Sequence, residues 1–148
     1  RPYGARTLMS LRLEKNWGVW TLDYRPDYTA AESGLDALID WKRDFIGKAA
    51  ALAERERGPA RRLVALTIDT PDRDVVGDEA VLDGERCVGH VTSGGYAHHV
   101  GRSMAMAYVP ADRAADGTAL QVEINGERFA ARVVTTPLHD PAGGRMRG

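Results

Sequence analysis

Residues 120–134, Leu-Gln-Val-Glu-Ile-Asn-Gly-Glu-Arg-Phe-Ala-Ala-Arg-Val-Val, decide the fold class of this 148-residue chain. The first five alternate between apolar and polar side chains, which is the period of a strand with one buried face. Asn125-Gly126 is a dipeptide that favours the tight turn of a two-residue hairpin. Phe129 to Val134 supplies the returning strand, so the sequence predicts an antiparallel hairpin here.

Four further segments upstream of this hairpin also have strand character. Asp83-Gly84 is a second hairpin signal between two of them, and Ser93-Gly94-Gly95 is expected to break the strand that follows it. Short strands separated by turn residues are typical of a small antiparallel barrel or sandwich. The four segments cover residues 62–68, 80–82, 87–92 and 103–109.

The first third of the chain predicts helices and irregular structure. Leu8, Leu11 and Lys15 keep a helical spacing, and Ala-rich residues from Lys48 to about Arg57 predict a second helix that Gly58-Pro59 ends. The predicted fold class is therefore α+β, mainly β: a short helical segment and linker, then a small antiparallel β-barrel of about six strands. The predicted domain boundary separates residues 1–58 from residues 59–148.

Two local features are predicted within the linker. Thr29 and Glu32 have the spacing of a capping box, in which each side chain bonds the backbone of the other residue. Residues 38–41 predict a buried strand.

Composition and single residue types exclude several classes of function. Lys and Arg total 20 against 21 Asp and Glu, a net charge of −1, so nothing favours nucleic acid or an anionic membrane as a partner. With no apolar run of about 18 residues and no signal peptide, we expect a cytoplasmic protein. Cys87 stands alone and is expected to be buried. Adjacent His98 and His99 would point to opposite faces of a strand, so no metal site is expected.

The run Ser10-Leu11-Arg12-Leu13-Glu14-Lys15 places charged residues on a predicted helix. Arg12 and Glu14 are two positions apart and cannot share a helix face, so we expect different partners for them. Buried structural contacts are favoured over a catalytic role for both. Trp17 is either a stacking platform for a flat ligand or a core residue, and Trp20 and Trp41 are expected in the core.

Five motifs occur in a characteristic order along nearly the whole chain. The order resembles the C-terminal part of the glycine-cleavage T-protein, or aminomethyltransferase, family. Glu14-Lys15 and Asp44-Phe45-Ile46-Gly47 are closer to its dimethylglycine and sarcosine dehydrogenase relatives. The motifs are Ser10 to Lys15, Tyr28 to Leu35, Asp44 to Lys48, Val88 to Tyr96 and Ala107 to Pro110.

This resemblance implies three domains around a central hole that holds tetrahydrofolate, to which a one-carbon unit is passed from a small methylated amine. FAD would belong only to a separate upstream domain, if the dehydrogenase branch applies. The catalytic Asp of such proteins has no matching position here, so no catalytic residue is assigned. The chain would form one wall of the folate cavity, would work with the rest of its own polypeptide or sibling domains, and would not be competent alone.

The resemblance also implies the residues that would contact the cofactor. Trp17 matches an aromatic that faces it, and Arg145 and Arg147 match an arginine near the folate tail. Leu8 and Ala37 depart from the family, because an Arg and a Tyr are expected at these two positions. The alternative function is therefore a non-catalytic scaffold or subunit-interaction barrel that has lost contact with folate.

Overall fold

The structure, a computed structural model, describes residues 2–147 and contains the hairpin that the sequence predicts. Its two strands are paired from Ala119↔Arg132 to Ile124↔Glu127. Asn125 and Gly126 in the turn both have positive φ, as a type I′ turn requires. Six strands are present: β1 (Arg61–Ile68), β2 (Ala80–Asp83), β3 (Arg86–Ala97), β4 (Arg102–Pro110), β5 (Ala119–Ile124) and β6 (Glu127–Val134).

The six strands form a closed antiparallel barrel in the order β1-β4-β3-β2-β5-β6. Pairing of β1 with β6, from Ala65↔Val134 to Ile68↔Ala131, completes the ring. Closure leaves no unpaired sheet edge, which removes the usual site of strand-to-strand aggregation. The predicted barrel is confirmed.

The barrel interior is filled by alternate residues of the strands. Along β5, Leu120, Val122 and Ile124 are buried while the residues between them are partly exposed, as one-sided burial requires. Small Ala105 and Ala107 on β4 face larger aliphatic side chains across the barrel. The predicted alternation thus identifies the face that lines the interior.

A second apolar cluster lies outside the barrel and attaches the first helix. Helix α1 (Ala5–Leu13) places Leu13 against the outer face of β4, where Met104 and Met106 are buried, together with Ala65 and Ala97. Strand β4 is therefore buried on both faces, and its residues 103–109 are all buried. This explains its nearly continuous apolar sequence.

The other helices are short. Helix α2 (Lys48–Arg57) ends at Gly58 as predicted, and α3 (Gly144–Arg147) lies near the C-terminus. Within residues 2–147, no helix is long and apolar enough to cross a membrane.

The linker confirms one prediction and contradicts another. Thr29 and Glu32 form the capping box: Glu32 N–H donates to Thr29 Oγ1 at 3.1 Å, and Thr29 N–H to Glu32 Oε2 at 3.2 Å. The predicted buried strand at residues 38–41 is wrong. Asp36–Leu38 form a 3₁₀ turn, and Leu38 is exposed. A short apolar run does not distinguish these two outcomes.

Strand β3 is longer than predicted, because Ser93-Gly94-Gly95 continues the strand after a register shift between Val91 and Ser93. A Cβ on Gly94 would overlap the side chain of Val75, so glycine here permits close packing. Cys87 is exposed near the start of β3, which contradicts the prediction that it is buried.

Gly89 on β3 provides a test of this packing. A Cβ at Gly89 would overlap the carbonyl oxygen of Tyr108 on β4, so Gly89→Ala should lower the free energy of unfolding by about 2–3 kcal/mol. Gly4→Ala is the matched control, because a Cβ at Gly4 meets no atom within 4 Å and its φ is −81°. Urea denaturation measures both, and equal effects would contradict the close approach of β3 and β4.

Candidate functional site

A buried carboxylate, Asp23, lies between α1 and the barrel. Its Oδ2 accepts hydrogen bonds from Arg12 Nη1 and from the backbone N–H of Val19, both at 2.7 Å. Its Oδ1 accepts from the hydroxyls of Thr92 and Ser93 on β3. Asp23 has no exposed surface. One anion thus connects the helix, the turn that follows it and the barrel wall.

Arg12 is the charged partner of Asp23 and is also buried. Burial lowers the pKa of its guanidinium, and the negative charge of Asp23 acts in the opposite direction. Arg12 Nε also donates to the carbonyl of Met9 at 3.1 Å, while Nη2 is buried with no partner among the described residues. A buried charge held this way depends on its counter-ion.

The backbone of Asp23 extends the network to Tyr108 of β4. The Tyr108 hydroxyl donates to the Asp23 carbonyl at 2.9 Å and lies 2.8 Å from the Ser33 hydroxyl, from which it can accept. Burial raises the pKa of Tyr108 to about 12. The Tyr28 ring stacks on Tyr108 with a centroid separation of 3.5 Å. The linker is thereby held against the barrel.

The remaining polar residues of the Ser10–Lys15 run contact the end of β3 and the segments that follow β3 and β6. Ser10 Oγ donates to the carbonyl of Tyr96 at 2.6 Å. Glu14, 1% exposed, accepts from the backbone N–H of His99 at 2.6 Å and lies 3.0 Å from its Nδ1. Lys15 Nζ contacts the carbonyl and carboxylate of Asp140. Arg12 and Glu14 therefore have different partners, as predicted, and both are structural.

The turn after α1 presents an aromatic surface, which we define as Trp17, Trp20 and Tyr24. The two indoles contact Tyr24 edge-on, with centroid distances of 6.5 Å for Trp17 and 6.0 Å for Trp20. Trp17 is 58% and Trp20 74% exposed. The prediction that Trp20 lies in the core is wrong, because the turn directs it outward. Trp41 is partly buried, under the guanidinium of Arg55.

The geometry of the turn holds this surface in place. The Tyr24 hydroxyl accepts a hydrogen bond from the backbone N–H of Gly18 at 3.1 Å. A Cβ on Gly18 would lie 2.6 Å from the Tyr24 ring, so any larger residue at this position would displace that ring. Burial raises the pKa of Tyr24, which keeps its hydroxyl neutral. Trp17 thus projects from a rigid support.

A cavity of about 300 Å³ lies beside Trp17. Tyr24 and Leu35 contribute to its wall, as does Asn16, whose Oδ1 is buried without a hydrogen-bond partner among the described residues. The amide Nδ2 of Asn16 is already used, because it donates to the carbonyl of Val134 at 3.0 Å. The cavity therefore combines a flat apolar surface with an available hydrogen-bond acceptor in its wall.

The other predicted site residues lie elsewhere. Arg145 and Arg147 are exposed on α3, and neither lines the cavity beside Trp17. The start of α3 is held by Asp140, which accepts from the backbone N–H of Gly144 at 2.9 Å and also contacts Lys15. Leu8 and Ala37 are exposed. The structure places Trp17 in a cavity wall but does not bring the two arginines to it.

Sequence reasoning missed the residues on which this arrangement depends. No local pattern in the sequence indicated that Asp23 and Tyr108 join the linker to the barrel, since the bonds that do so span 69 to 85 positions along the chain. Only the polar Thr92-Ser93 pair within an apolar strand hinted at a buried acceptor.

Known proteins match this chain along most of its length. Residues 61–140 match the family described as glycine cleavage T-protein C-terminal barrel domain. The chain is 36% identical over 138 residues to the mitochondrial dimethylglycine dehydrogenase of Homo sapiens, covering 92% of the chain and 16% of that protein. It is 36% identical over 140 residues to an aminomethyltransferase of Rippkaea orientalis, covering 93% of the chain and 38% of that protein.

A solved structure agrees with the fold. The glycine cleavage system aminomethyltransferase T from Bartonella henselae superposes with a TM-score of 0.80 at 31% identity, covering 89% of the chain and 38% of that structure. The chain therefore spans from about a sixth to less than two fifths of the length of these relatives.

The ion pair is tested by Asp23→Asn, which keeps the shape but removes the charge. Arg12 would be left as a buried cation without a counter-ion, so the free energy of unfolding should fall by about 3 kcal/mol or more. Asp27→Asn removes a carboxylate from the exposed pair with Arg25 and should have no measurable effect. If chemical denaturation shows only a small loss in the free energy of unfolding for Asp23→Asn, the central role of this pair is contradicted.

The raised pKa of Tyr108 predicts how stability depends on pH. Unfolded tyrosine ionises near pH 10 and folded Tyr108 near 12, so this contribution is complete below pH 10 and is lost as pH rises from 10 to 12. The loss for one buried tyrosine is about 2–3 kcal/mol. Urea denaturation at pH 9 and pH 12 should show a steeper fall for the unaltered chain than for Tyr108→Phe. Parallel falls would contradict this assignment.

Proposed function

Because the chain belongs to the glycine cleavage T-protein C-terminal barrel domain family, we propose that it is the C-terminal part of a tetrahydrofolate-dependent one-carbon transferase. The enzyme would be an aminomethyltransferase or an N-demethylating dehydrogenase, the two kinds of relative that the chain matches. Its substrate would be a small methylated or aminomethyl amine. In the dehydrogenase case, FAD would occupy a separate upstream domain.

The observation that carries this proposal is the exposed indole of Trp17 beside a cavity. A hydrophobic aromatic side chain that is 58% exposed yet held edge-on by Tyr24 is available to a flat ligand. Stacking of a heteroaromatic ring on such a side chain is worth about 1–3 kcal/mol in comparable systems. Trp17 would therefore form part of the wall against which the pterin ring lies.

The residues around the Trp17 cavity would form one wall of a folate site. Asn16 Oδ1, which is buried with no hydrogen-bond partner among residues 2–147, would offer an acceptor for an N–H group of a pterin. Arg145 and Arg147 are exposed guanidinium groups of the kind that pair with the carboxylates of a folate tail; they lie outside the Trp17 cavity, so they would meet only a tail that extends beyond it. Bound folate supplies the amine nitrogens that take up the one-carbon unit. The residues of this chain orient the ring and shield one side of it from water.

The chain would not be competent alone. We assign it no catalytic residue, and the carboxylate that performs acid–base chemistry would come from the upstream part of the polypeptide or from a sibling domain. This agrees with the limited share of the relatives that the chain spans, 38% for the aminomethyltransferase and 16% for the dehydrogenase. A cytoplasmic location stays a prediction. The dimethylglycine dehydrogenase that the chain matches is a mitochondrial protein.

A second candidate is a scaffold or subunit-interaction barrel that has lost contact with folate. Leu8 and Ala37, where ligand-contacting residues would be expected, favour it. So do the exposed side chains of Trp20 and Leu22, which form apolar surface suited to packing against another domain. The two candidates differ in whether Trp17 contacts a ligand or only protein.

Calorimetric titration with 5-formyl-tetrahydrofolate separates these candidates. The longer polypeptide that carries this segment should bind, and the 148-residue chain alone should give little or no heat. Trp17→Ala in the longer polypeptide should raise the dissociation constant about tenfold through loss of stacking. Trp20→Ala is the matched control, since Trp20 also contacts Tyr24 but does not line the cavity.

The outcomes are distinct. Absence of binding by the longer polypeptide would sink the transferase proposal. Binding that Trp17→Ala and Trp20→Ala weaken equally would assign both indoles to domain packing.

A further inference from the structure

We propose that the end of the barrel where β1 finishes and β4 begins holds a second site, which binds a small oxyanion carrying a phosphate or carboxylate group. The site is separate from the cavity beside Trp17 and does not depend on the function proposed above. It is a cavity of about 540 Å³, within the usual range for small-molecule sites. We call it the barrel-end cavity and define its polar groups as Arg102, Arg132, Ser103, Thr67 and Asp69.

The position of the cavity follows from the strand register. Ile68 of β1, Leu120 of β5 and Ala131 of β6 belong to the barrel core and also line the cavity. The cavity therefore opens from the end of the barrel interior. Its floor is apolar, and its charged groups lie around the rim.

Two arginines flank this opening. Arg132 of β6 is opposite Thr67 of β1, and Thr67 is opposite Met104 of β4, two residues beyond Arg102. Strand spacing and rise place the two arginine Cα atoms about 12 Å apart on the outer face, whereas Ser103, opposite Ile68, is on the inner face. The long arginine side chains would therefore reach the ligand over the rim of the barrel. Planar guanidinium groups bind carboxylate and phosphate through paired hydrogen bonds.

Neither arginine has a carboxylate within 4.0 Å among the described residues. By contrast, Arg113 pairs with Asp83 and Arg128 with Glu85 on the same barrel. Among the described residues, Asp69 is the one acidic residue that lines the barrel-end cavity, and Asp116 lines the adjoining cavity that the two arginines share. Within the barrel-end lining itself, two cations face one anion.

The second, independent observation is Ser103. Its side chain is 4% exposed and lines the cavity, yet its hydroxyl has no hydrogen-bond partner among the described residues. A buried polar group without a partner costs about 1–3 kcal/mol. An oxyanion in the cavity would accept a hydrogen bond from Ser103 and remove this cost. A donor and two cations are the groups that an anion requires.

The test titrates the 148-residue chain with inorganic pyrophosphate and, separately, with succinate at low salt. Either should bind saturably with a dissociation constant below about 10 mM, and backbone amide shifts in NMR spectra should map to Thr67, Arg102, Ser103 and Arg132. Pyrophosphate binding alone identifies a phosphate ligand, succinate binding alone a carboxylate, and similar binding of both a general oxyanion site. Saturation by neither, or shifts located elsewhere, would overturn the proposal.

Variants give a second, independent measurement. Arg102→Gln and Arg132→Gln together should weaken binding at least tenfold, whereas Asp69→Asn should strengthen it by removing a competing charge. Arg86→Gln is the matched control. Arg86 is exposed at the start of β3, whereas the other end of β3 pairs with Arg102, so this substitution should leave the affinity within twofold. If Arg86→Gln and the double variant weaken anion binding equally, the anion is attracted by diffuse surface charge and the proposed site is overturned.

Ser103→Ala separates binding from structure. Removal of an unpaired hydroxyl should leave the thermal midpoint unchanged or raise it, while weakening anion binding about threefold to tenfold. A lowered midpoint with unchanged affinity would show that the Ser103 hydroxyl serves the fold and not a ligand. The amide shift map of the unaltered chain remains decisive if any variant fails to fold.

Discussion

The buried ion pair between Asp23 and Arg12 is the interaction on which the rest of the structure depends. Asp23 accepts bonds from α1, from the backbone of the following turn and from two hydroxyls of β3, and its own carbonyl accepts from Tyr108 of β4. Each donor to the Asp23 carboxylate partly replaces the water that this charge loses on burial. Without a full set of donors, this pair would destabilise the fold.

This constraint also determines where the aromatic surface lies. The turn from Trp17 to Tyr24 is closed by Asp23 at its end and by Arg12 at its start, since Arg12 Nη1 also donates to the Trp17 carbonyl at 3.3 Å. The indoles project outward because the polar groups of the turn face inward to the ion pair. A structural contact thereby positions the residue that we propose to contact the pterin, so stability and function are linked at this turn.

Particular residues show how far the sequence could be interpreted. Strand character identified β1, β4 and β5, with clean alternation in β5, and Asn125-Gly126 identified the final hairpin with its returning strand β6, because strand period and turn geometry are local properties. Residue type predicts Trp20 and Cys87 in the interior, and a short apolar run predicts Leu38 there, but all three are exposed. Whether a side chain is buried depends on what packs against it. Local periodicity does not encode this packing for a turn, a 3₁₀ segment or a strand near a hairpin.

The fold and the candidate sites both contain features that follow from spacing along the chain and features that follow from tertiary contacts. The sequence by itself predicted a small antiparallel barrel of about six strands, the capping box of Thr29 and Glu32, and the family resemblance that implies a role for Trp17, because these depend on spacing along the chain. Only the tertiary structure decided which partners Arg12 and Glu14 contact, that Trp17 borders a cavity, and that Ser103 lines the same cavity as Arg102 and Arg132. The physical reason is that desolvation and charge pairing depend on distances between residues far apart in sequence, and only the closed barrel and its docked helix define those distances.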